Sequence, residues 1–447
     1  MSQFYAGFGR VNVTPMLGAD INGYYQVRKA NGVLDELEAN AVAFTCGGDT
    51  AVFVSIDNCL ISSNLINAIR SAAAKLTGLD ADCIHIGVTH THTAPTAEIG
   101  HEDPFVSQYT QFLIRKAADA VHAAMEDRKS AKIGWGVGTA PNVAFVRRFR
   151  MKDGSIRTNP GVNNPDIVAP IGDVDERVNV LRIDQEDGNS IVFINFGNHP
   201  DTVGGCKISC DWPGFARRMV EKALDGTRCI FFNGALGDVN HVNVHPGPGA
   251  YNDLSPDFDD VDRGYGHARH MGNVVAAAVL QVYAKAAWMD VDSIRSVTKM
   301  VRIPSNRPDP KDLPEAHRIN DLYEAGRDNE LPYEGMMLTT IVAEAARMVA
   351  LENGPDYFEV PVSAIALGNV ALVTLPGEAF TEIGRELKKA EGWDLVLPLG
   401  LTDEYVGYFP VTQAYIEGGY EARSSKFKQG VAELLIDEGK QLLASLR

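Results

Sequence analysis

Apolar residues along the chain recur with two different periods, and the two kinds of segment alternate. A two-residue period with many β-branched side chains predicts strands, and a period near 3.6 residues predicts helices that bury one face. Strands are expected at about 4–14, 38–46, 51–56, 83–88, 132–138, 178–183, 190–196, 230–232, 357–366, 370–375 and 395–400. Helices are expected at about 63–76, 107–126, 212–224, 267–288, 315–351, 380–390 and 428–445.

The order of these segments predicts the fold class. Strands that alternate with helices are typical of an α/β fold, and the hairpin at 38–56 predicts mixed β-sheets flanked by helices. The chain has 447 residues, 45% of them hydrophobic, which is enough for a single large domain over residues 1–447. Helices after a Pro- and Asp-rich stretch predict a helical insertion at about 303–350, and residues 140–175 are expected to be loops.

The composition excludes several classes of partner. The formal net charge of −17 argues against nucleic acids and anionic membranes, which bind clustered lysine and arginine. No stretch approaches the roughly 18 consecutive apolar residues of a membrane span, and the N-terminus lacks the charged and apolar regions of a signal peptide. We therefore expect a cytoplasmic protein without stable membrane insertion that acts on a small molecule, and self-association as a homo-oligomer stays open.

Two groups of residues could bind metal, but their patterns favour ordinary structural roles. The cysteines have no zinc-finger spacing and lie mostly in apolar, strand-like surroundings, which predicts buried free thiols. The aspartates between 253 and 262 form a cluster that could hold calcium, but such a run is more typical of a solvated loop. The six cysteines are Cys46, Cys59, Cys83, Cys206, Cys210 and Cys229.

A pair of histidines follows the predicted strand at 83–88, in the sequence Thr89-His90-Thr91-His92-Thr93-Ala94-Pro95. The proline prevents simple continuation of the ladder, so both histidines lie where the strand ends. Residues two apart in an extended segment share a face, and His90 and His92 can therefore address one pocket. Because neutral imidazole is the preferred nitrogen ligand of zinc, the pair indicates a metal site; the alternative is two polar loop histidines.

Three other predicted strands also end in groups that could bind metal or transfer protons. His199 precedes a proline, Glu378 precedes a predicted helix, and Tyr408 lies in a tyrosine-rich segment. Each has an ordinary alternative, respectively a loop histidine, a charge at a helix N-terminus and aromatic packing. Together with His90 they offer two nitrogens and two oxygens, which suit zinc better than calcium or magnesium.

These motifs, in this order, resemble the catalytic domain of the neutral/alkaline (non-lysosomal) ceramidase family. The resemblance runs from about residue 9 to residue 425, and the Thr-His-Thr-His and Pro-Gly-Glu motifs with the paired tyrosines are its most specific parts. It rests on the sequences at 9–15 and 52–57, Thr89-His90-Thr91-His92, Gly237-Asp238-Val239, Leu375-Pro376-Gly377-Glu378, Tyr408 and Tyr420.

The resemblance implies zinc amidase chemistry with defined residue roles. One zinc ion is expected to activate a water that attacks an amide carbon, with His92 transferring the proton. Tyr420 would hydrogen-bond the reacting carbonyl, and Arg147 would lie near the site and could help stabilise the oxyanion. The implied zinc ligands are His90, His199, Glu378 and Tyr408.

Neighbours of these residues are candidates for substrate binding. Arg148, beside Arg147, could bind a substrate carboxylate or phosphate, with ordinary surface charge as the alternative. Asn240 and His241 occupy the place where the family reads Ser-Pro, so a serine acyl-enzyme is excluded there. Asn240 could bind substrate or could simply form a turn after its strand.

Two further departures favour a substrate smaller or more polar than ceramide. The family carries a C-terminal immunoglobulin-like domain, whereas this chain ends shortly after its last motif, and the family is usually secreted or membrane-associated. An ester, lactone or carbohydrate-derivative hydrolase on the same metal site remains an alternative. So does a non-catalytic binding protein that kept the fold, although the joint presence of the candidate ligands and His92 argues against it.

Overall fold

Two β-sheets that pack face to face form the centre of the fold. The computed structural model describes residues 3–26, 28–248, 250 and 264–447. The larger sheet has antiparallel strands in its middle and a parallel pair at each end, so it is mixed as predicted. Its strands in spatial order are Thr227–Asn233, Ser190–Phe196, Arg177–Gln185, Lys129–Thr139, Phe4–Asn12, Glu38–Cys46, Asp49–Ile56 and Ile84–Val88, with Ala287–Met289 beside Lys129–Thr139.

The smaller sheet has four strands in the order Ile294–Pro304, Tyr357–Leu367, Val370–Leu375 and Leu395–Gly400. Its last two strands are parallel, and the other neighbours are antiparallel. The edge strand Ile294–Pro304 was not predicted, because most of its side chains are exposed and the apolar alternation is weak. The strand Ala287–Met289 likewise corrects the predicted extent of the helix at 267–288, which ends at Tyr283.

Helices cover the outer faces of both sheets, which gives a helix–sheet–sheet–helix arrangement. This confirms the α/β prediction. The larger sheet is covered by Ser63–Thr77, Pro104–Glu126, Asp211–Ala223 and Tyr265–Tyr283, and the smaller sheet by Thr381–Leu387 and Val431–Ser445. The remaining helices are Leu313–Glu324, Gly335–Leu351, Thr412–Glu417 and Tyr420–Ser424, with 3₁₀ turns at Ala81–Cys83 and Asp328–Glu330.

Short strand pairs extend the ends of the sheets where the sequence predicted only loops. Within residues 140–175, Arg148–Met151 pairs with both Ile156–Thr158 and Ile167–Pro170. The other small ladders are Asp20–Ile21 with Arg28–Lys29, Gly32–Val33 with Lys207–Ile208, Phe145–Val146 with Val239–Asn240, and Glu378–Ala379 with Tyr408–Phe409.

Aromatic side chains fill the space between the two sheets. The rings of Phe193 and Phe232 stack with centroids 5.1 Å apart, and Phe53 meets both rings edge to face. Leu372 and Leu397 of the smaller sheet belong to the same buried cluster. This continuous apolar interface holds the corresponding ends of the two sheets in register, and those ends carry the candidate site.

Two sequence predictions bear on the surroundings of the fold. All six cysteines lie in the described part of the chain, where none of them forms a disulfide, and four are fully buried, as expected. No helix in the described part of the chain is both long and apolar enough to cross a membrane. The acidic cluster between 253 and 262 lies outside the described residues.

A buried ion pair supports the loop that follows the strand Asp49–Ile56. The guanidinium of Arg217 donates to both carboxylate oxygens of Asp57 at 3.0 and 2.7 Å, and both side chains are almost completely buried. We expect Arg217→Ala to lower the free energy of unfolding by about 3–5 kcal/mol, because Asp57 keeps its charge without its partner. Chemical denaturation measures this change.

The matched control is Arg318→Ala, which removes the exposed ion pair between Arg318 and Glu315. Solvent screens this pair, so the denaturation midpoint should stay where it is in the wild type. Equal effects of the two substitutions would show that burial of the Arg217 pair contributes nothing to stability.

Candidate metal centre

The carboxyl ends of strands from both sheets meet at one edge of the molecule. Gly87 of the larger sheet forms a bridge with Thr402, which follows the last strand of the smaller sheet. On the other side, the backbone N–H of Gly237 donates to the carbonyl of Ala379 at 2.7 Å. Strand ends of α/β sheets commonly form ligand sites, and here the histidines and Glu378 predicted from their strand-end positions lie together.

The ring of His90 is held by the backbone of a neighbouring loop. Its Nδ1 lies 2.7 Å from the carbonyl oxygen of Cys59, so Nδ1 carries a proton and Nε2 is the ring nitrogen that faces the site. Its backbone N–H donates to the carbonyl of Asn58 at 2.8 Å, and its φ is 72°, an uncommon value for a residue with a side chain. The loop thereby aims the Nε2 of His90 at the centre of the site.

The ring of His199 is oriented in the same way from the other side. Its Nδ1 lies 2.9 Å from the carbonyl oxygen of Leu236 and 2.8 Å from that of Val239, which again leaves Nε2 as the ring nitrogen that faces the site. A hydrogen bond from Nδ1 to a carbonyl is the usual second-sphere arrangement of a metal-binding histidine.

Glu378 completes a buried donor set with these two histidines. Its Oε2 lies 2.9 Å from the Nε2 of His199 and 3.6 Å from that of His90, and each of the three residues is 2% exposed. One ligand atom of each lies within 4.8 Å of the others. Two imidazole nitrogens and a carboxylate that face one another favour positive charge between them, and this donor set fits a divalent metal.

The pKa values of the three groups show the same demand for positive charge. Burial lowers the pKa of His90, but nearby Cys59 and the Glu378 carboxylate outweigh it and raise this pKa well above its usual range. Burial raises the pKa of Glu378, yet the two imidazoles hold it well below its usual range. Burial and the Arg147 guanidinium lower the pKa of His199. The site therefore favours an ionised carboxylate beside bound positive charge.

Tyr408 lies on the short strand that pairs with Glu378, and it lines the same cavity as His90 and Glu378. Burial and the Glu378 carboxylate raise the pKa of its phenol well above its usual range, while the Arg147 guanidinium opposes this shift. The guanidinium carbon of Arg147 lies 5.5 Å from the centre of the Tyr408 ring. The predicted fourth ligand is thus adjacent to the three-residue donor set.

Tyr405 is a site residue that the sequence did not single out from its tyrosine-rich segment. Its hydroxyl donates to the Oε1 of Glu378 at 2.8 Å and so orients the carboxylate whose other oxygen faces the histidines. No spacing or composition signal separates this tyrosine from the others in its segment, because the contact depends on the fold.

His92 lies beside the donor set and lines two cavities there, one of about 230 Å³ and one of about 360 Å³. Its Nε2 is 3.3 Å from the Nε2 of His90, and its Nδ1 is 3.8 Å from the Oδ1 of Asp201. Burial lowers the pKa of His92 to about 3, and the other two histidines act in the same direction, whereas Asp201 opposes them. A neutral His92 can accept a proton from a group bound between it and the donor set.

The structure brings Arg147 to the site and turns Arg148 away from it. Arg147 donates through Nε to Glu421 at 2.7 Å and through Nη2 to the carbonyl of Gly237 at 2.7 Å, and its Nη1 lies 3.3 Å from the Nε2 of His199. Arg148 instead donates to the carbonyl of Gly418 at 3.0 Å, and it lines neither cavity beside the donor set. Substrate binding by Arg148 therefore has no geometric support, because neighbouring residues of an extended segment point to opposite sides.

Among the described residues, neither Asn240 nor His241 lines the two cavities beside the donor set. The Nδ2 of Asn240 donates to the Oδ1 of Asn159 at 2.8 Å, and Asn159 lines the cavity. The ring of His241 packs edge to face on that of His267, with centroids 5.4 Å apart. Direct substrate contact by either residue stays a prediction, but the contact of Asn240 with Asn159 gives it an indirect route to the cavity.

Two connected cavities open onto the donor set. One of about 230 Å³ is lined by His90, Glu378 and Tyr408, and one of about 360 Å³ is lined by His199 and Arg147. Both are lined by His92 and by Tyr420, whose hydroxyl lies 3.3 Å from that of Tyr25. The predicted catalytic residues therefore border one continuous space.

Part of the wall of the larger cavity comes from the helices that the sequence assigned to an insertion. Tyr323, Met336, Leu338 and Val342 line the space, and the hydroxyl of Tyr323 donates to the carbonyl of Tyr25 at 2.8 Å. The sequence could not place these helices, because the residues that they contact, such as Tyr25, lie hundreds of residues away along the chain.

A second group could hold a metal, since Cys59, His90 and His92 also bring ligand atoms within 4.8 Å of one another. We expect His199→Ala and Glu378→Gln to abolish stoichiometric metal binding, while Cys59→Ser keeps it, because only the first pair belongs to the oriented donor set. Elemental analysis of the purified variants measures the metal content. Loss of metal from Cys59→Ser with retention in Glu378→Gln would assign the ion to the other group.

Tyr405→Phe tests the support of the Glu378 carboxylate. Removal of the hydroxyl should weaken metal affinity about 10-fold or more, since partners that orient a ligand typically contribute 10- to 100-fold. Competition with a chelator of known affinity measures the change. Tyr283→Phe is the control, because the Tyr283 hydroxyl bonds Ser190 away from the donor set and should leave the affinity unchanged.

Comparison with known proteins agrees with the resemblance. No protein-family model matches the chain. The fold is similar to that of neutral ceramidase from Pseudomonas aeruginosa, with a TM-score of 0.74 and 17% identity over 100% of this chain and 75% of the ceramidase. It is also similar to a structure of ceramidase complexed with C2, with a TM-score of 0.73 and 16% identity over 100% of this chain and 76% of the other. The chain thus has the fold of the neutral ceramidases, as the sequence motifs predicted.

Proposed function

We propose that this protein is a zinc-dependent hydrolase that cleaves an amide (N-acyl) bond of a small molecule. The observation that carries the proposal is the convergence of the Nε2 atoms of His90 and His199 with the Glu378 carboxylate at a cavity. The similarity to neutral ceramidase, a fold-level likeness, supports the choice of an amide bond over other bonds.

The composition of the donor set favours zinc over harder cations. Calcium and magnesium prefer shells made of oxygen, whereas imidazole nitrogen with a carboxylate is a common set for zinc. His90, His199 and Glu378 would hold the ion, and Tyr408 is the candidate fourth ligand because it pairs with Glu378 and lines the same cavity. When bound, zinc would lower the pKa of a coordinated water toward about 7 and polarise the substrate carbonyl.

His92 is the proposed proton-transfer residue. Its side chain is 13% exposed, so it reaches the cavity while its Nε2 stays 3.3 Å from that of His90. Its Nε2 lies beside the donor set and would accept the proton of the attacking water and pass it to the leaving amine. The Asp201 carboxylate beside its Nδ1 would favour the imidazolium that forms in between.

Arg147 and Tyr420 are the proposed donors to the reacting carbonyl. Glu421 and the Gly237 carbonyl occupy the Nε and Nη2 of Arg147, which leaves Nη1 directed at the site. Among the described residues, the hydroxyl of Tyr420 has only the Tyr25 hydroxyl as a partner, and it can turn toward a bound oxygen. A single donor to a developing oxyanion contributes roughly 2.7–4 kcal/mol to transition-state stabilisation.

The proposal is tested by a panel of N-acyl compounds, esters and lactones. We expect the purified protein to hydrolyse at least one amide, to lose this activity on chelation and to regain it with added zinc. Hydrolysis of esters or lactones, but of no amide, would favour the alternative bond classes. Turnover that survives complete metal removal would overturn the metal-dependent mechanism, and binding without any turnover would favour a non-catalytic role.

Substitution of the two neighbouring histidines separates ligand from proton carrier. His92→Ala should keep zinc while kcat falls about 10²- to 10⁴-fold, the usual contribution of a general acid–base group. His90→Ala is the matched variant and should lose both zinc and turnover. Equal loss of metal from both variants would show that His92 is a ligand rather than the proton carrier.

A further inference from the structure

A third cavity continues the space at the metal centre and meets it at Asn159. This cavity measures about 380 Å³ and is lined by residues 156–161 and by the start of the helix Gly335–Leu351. It shares Asn159, Met336 and Tyr420 with the cavity beside the donor set. A substrate longer than its reacting amide would therefore pass Asn159 as it extends away from the metal.

The backbone of Asn159 is fixed relative to the site. Its N–H donates to the carbonyl of Arg147 at 2.8 Å, and its φ of 47° is a left-handed conformation that asparagine tolerates better than most residues. Tyr420 lines the same cavity and contacts the same segment, because its backbone N–H points to the Oγ1 of Thr158 at 3.4 Å. The Asn159 side chain thus has a defined distance from the groups that face the reacting carbonyl.

Asn240 determines which way the Asn159 amide points. The backbone N–H of Val242 can only donate, and it lies 3.0 Å from the Oδ1 of Asn240. The Nδ2 of Asn240 therefore faces Asn159 and needs an acceptor, which is the Oδ1 of Asn159 at 2.8 Å. This leaves the Nδ2 of Asn159 as the free end, and no group in the described part of the chain accepts its protons.

We propose that the Nδ2 of Asn159 is a substrate-binding subsite that donates a hydrogen bond to a neutral oxygen of the substrate, outside the reacting amide. Asn240 is the positioning residue that holds the donor end toward the cavity. The proposal rests on the amide hydrolysis proposed above and narrows its substrates to amides that carry a hydroxyl, ether or carbonyl oxygen on one arm.

The surrounding charges favour a neutral oxygen over a carboxylate. The two arginines that line the third cavity already have acidic partners: Arg157 with Asp153 at 3.2 Å and Arg423 with Glu344 at 2.8 Å. Arg147, on the other side of Asn159, is likewise paired with Glu421. Neither arginine of the third cavity is free to balance an anionic arm, and the acidic Glu334 lines the same cavity, whereas an amide N–H suits an uncharged acceptor.

The test uses isosteric amide substrates that differ at one group. N-hexanoylethanolamine is compared with N-hexanoylpropylamine, and its methyl ether is compared with N-hexanoylbutylamine; a second series carries the same groups at the end of the acyl arm. We expect the wild type to prefer the oxygen-bearing member of one series about tenfold in kcat/KM, mainly through KM, which is the usual effect of one hydrogen bond to a neutral group.

Asn159→Gly should abolish this preference and keep the metal content, because glycine adopts a positive φ without strain. The melting temperature should fall slightly, because the Nδ2 of Asn240 loses its acceptor. The matched control is Asn163→Gly, which removes an exposed asparagine of the same loop at φ 56° and should keep the preference. Retention of the preference in Asn159→Gly would overturn the subsite.

Asn240→Asp tests the orientation of the amide. Its second carboxylate oxygen would accept from the Nδ2 of Asn159, so the amide would turn and present Oδ1 to the cavity. The methyl ether, which can only accept, should then lose its advantage, whereas the alcohol, which can also donate, should keep it. If the alcohol and the ether both kept or both lost their advantage in kcat/KM, the positioning role of Asn240 would be overturned.

Failure of the subsite is distinguishable from failure of the proposed function. Amide turnover without any oxygen preference would refute the subsite alone. Absence of amide turnover would refute the proposed function, and the same substrate pairs are then compared by calorimetric dissociation constants. A tenfold ratio that depends on Asn159 would support the subsite, and an equal affinity within each pair would refute it.

Discussion

The candidate site depends on hydrogen bonds in which the Nδ1–H groups of two imidazoles donate to backbone carbonyls. These carbonyls belong to Cys59 and to the turn at 236–239, which follow strands of the larger sheet. Because a backbone carbonyl cannot donate, it keeps a proton on Nδ1 and leaves Nε2 as the atom that faces the site. Sheet geometry therefore sets the direction of both ligand atoms before any ion binds.

The approach of the two sheets brings the carboxylate to these nitrogens. A Cβ atom at Gly237 would lie 2.4 Å from the carbonyl oxygen of Glu378, so only glycine permits this contact. Asp238 then accepts from the backbone N–H of Thr381 at 2.7 Å and holds the start of the helix after Glu378. Burial raises the pKa of Asp238 to about 6, although the bonds from Thr381 oppose the shift. The Gly-Asp motif thus has a structural role in joining the sheets at the site.

The sequence predicted those parts of the structure that leave a local signal. Strands buried on both faces, such as Ser190–Phe196, are apolar throughout, and the polar groups at their ends are easy to recognise. The exposed edge strand Ile294–Pro304 lacks that signal, and the contact of Tyr405 with Glu378 exists only after folding. The sequence could not decide between Arg147 and Arg148 either, since the short ladders that orient them depend on partners far along the chain.

The segment 145–159, expected to be a loop, connects the chemistry to substrate selection. Arg147 near its start faces the donor set, and the carbonyl of the same residue accepts from Asn159 at 2.8 Å. A shift of one residue would therefore move the other, because a short backbone hydrogen bond joins them. The separation between the Arg147 guanidinium and the Asn159 amide is a property of the fold, so a substrate that uses both groups as proposed would have to match it in length. The proposed hydrolytic centre would thereby select a substrate by the position of a polar group rather than by the size of its apolar part.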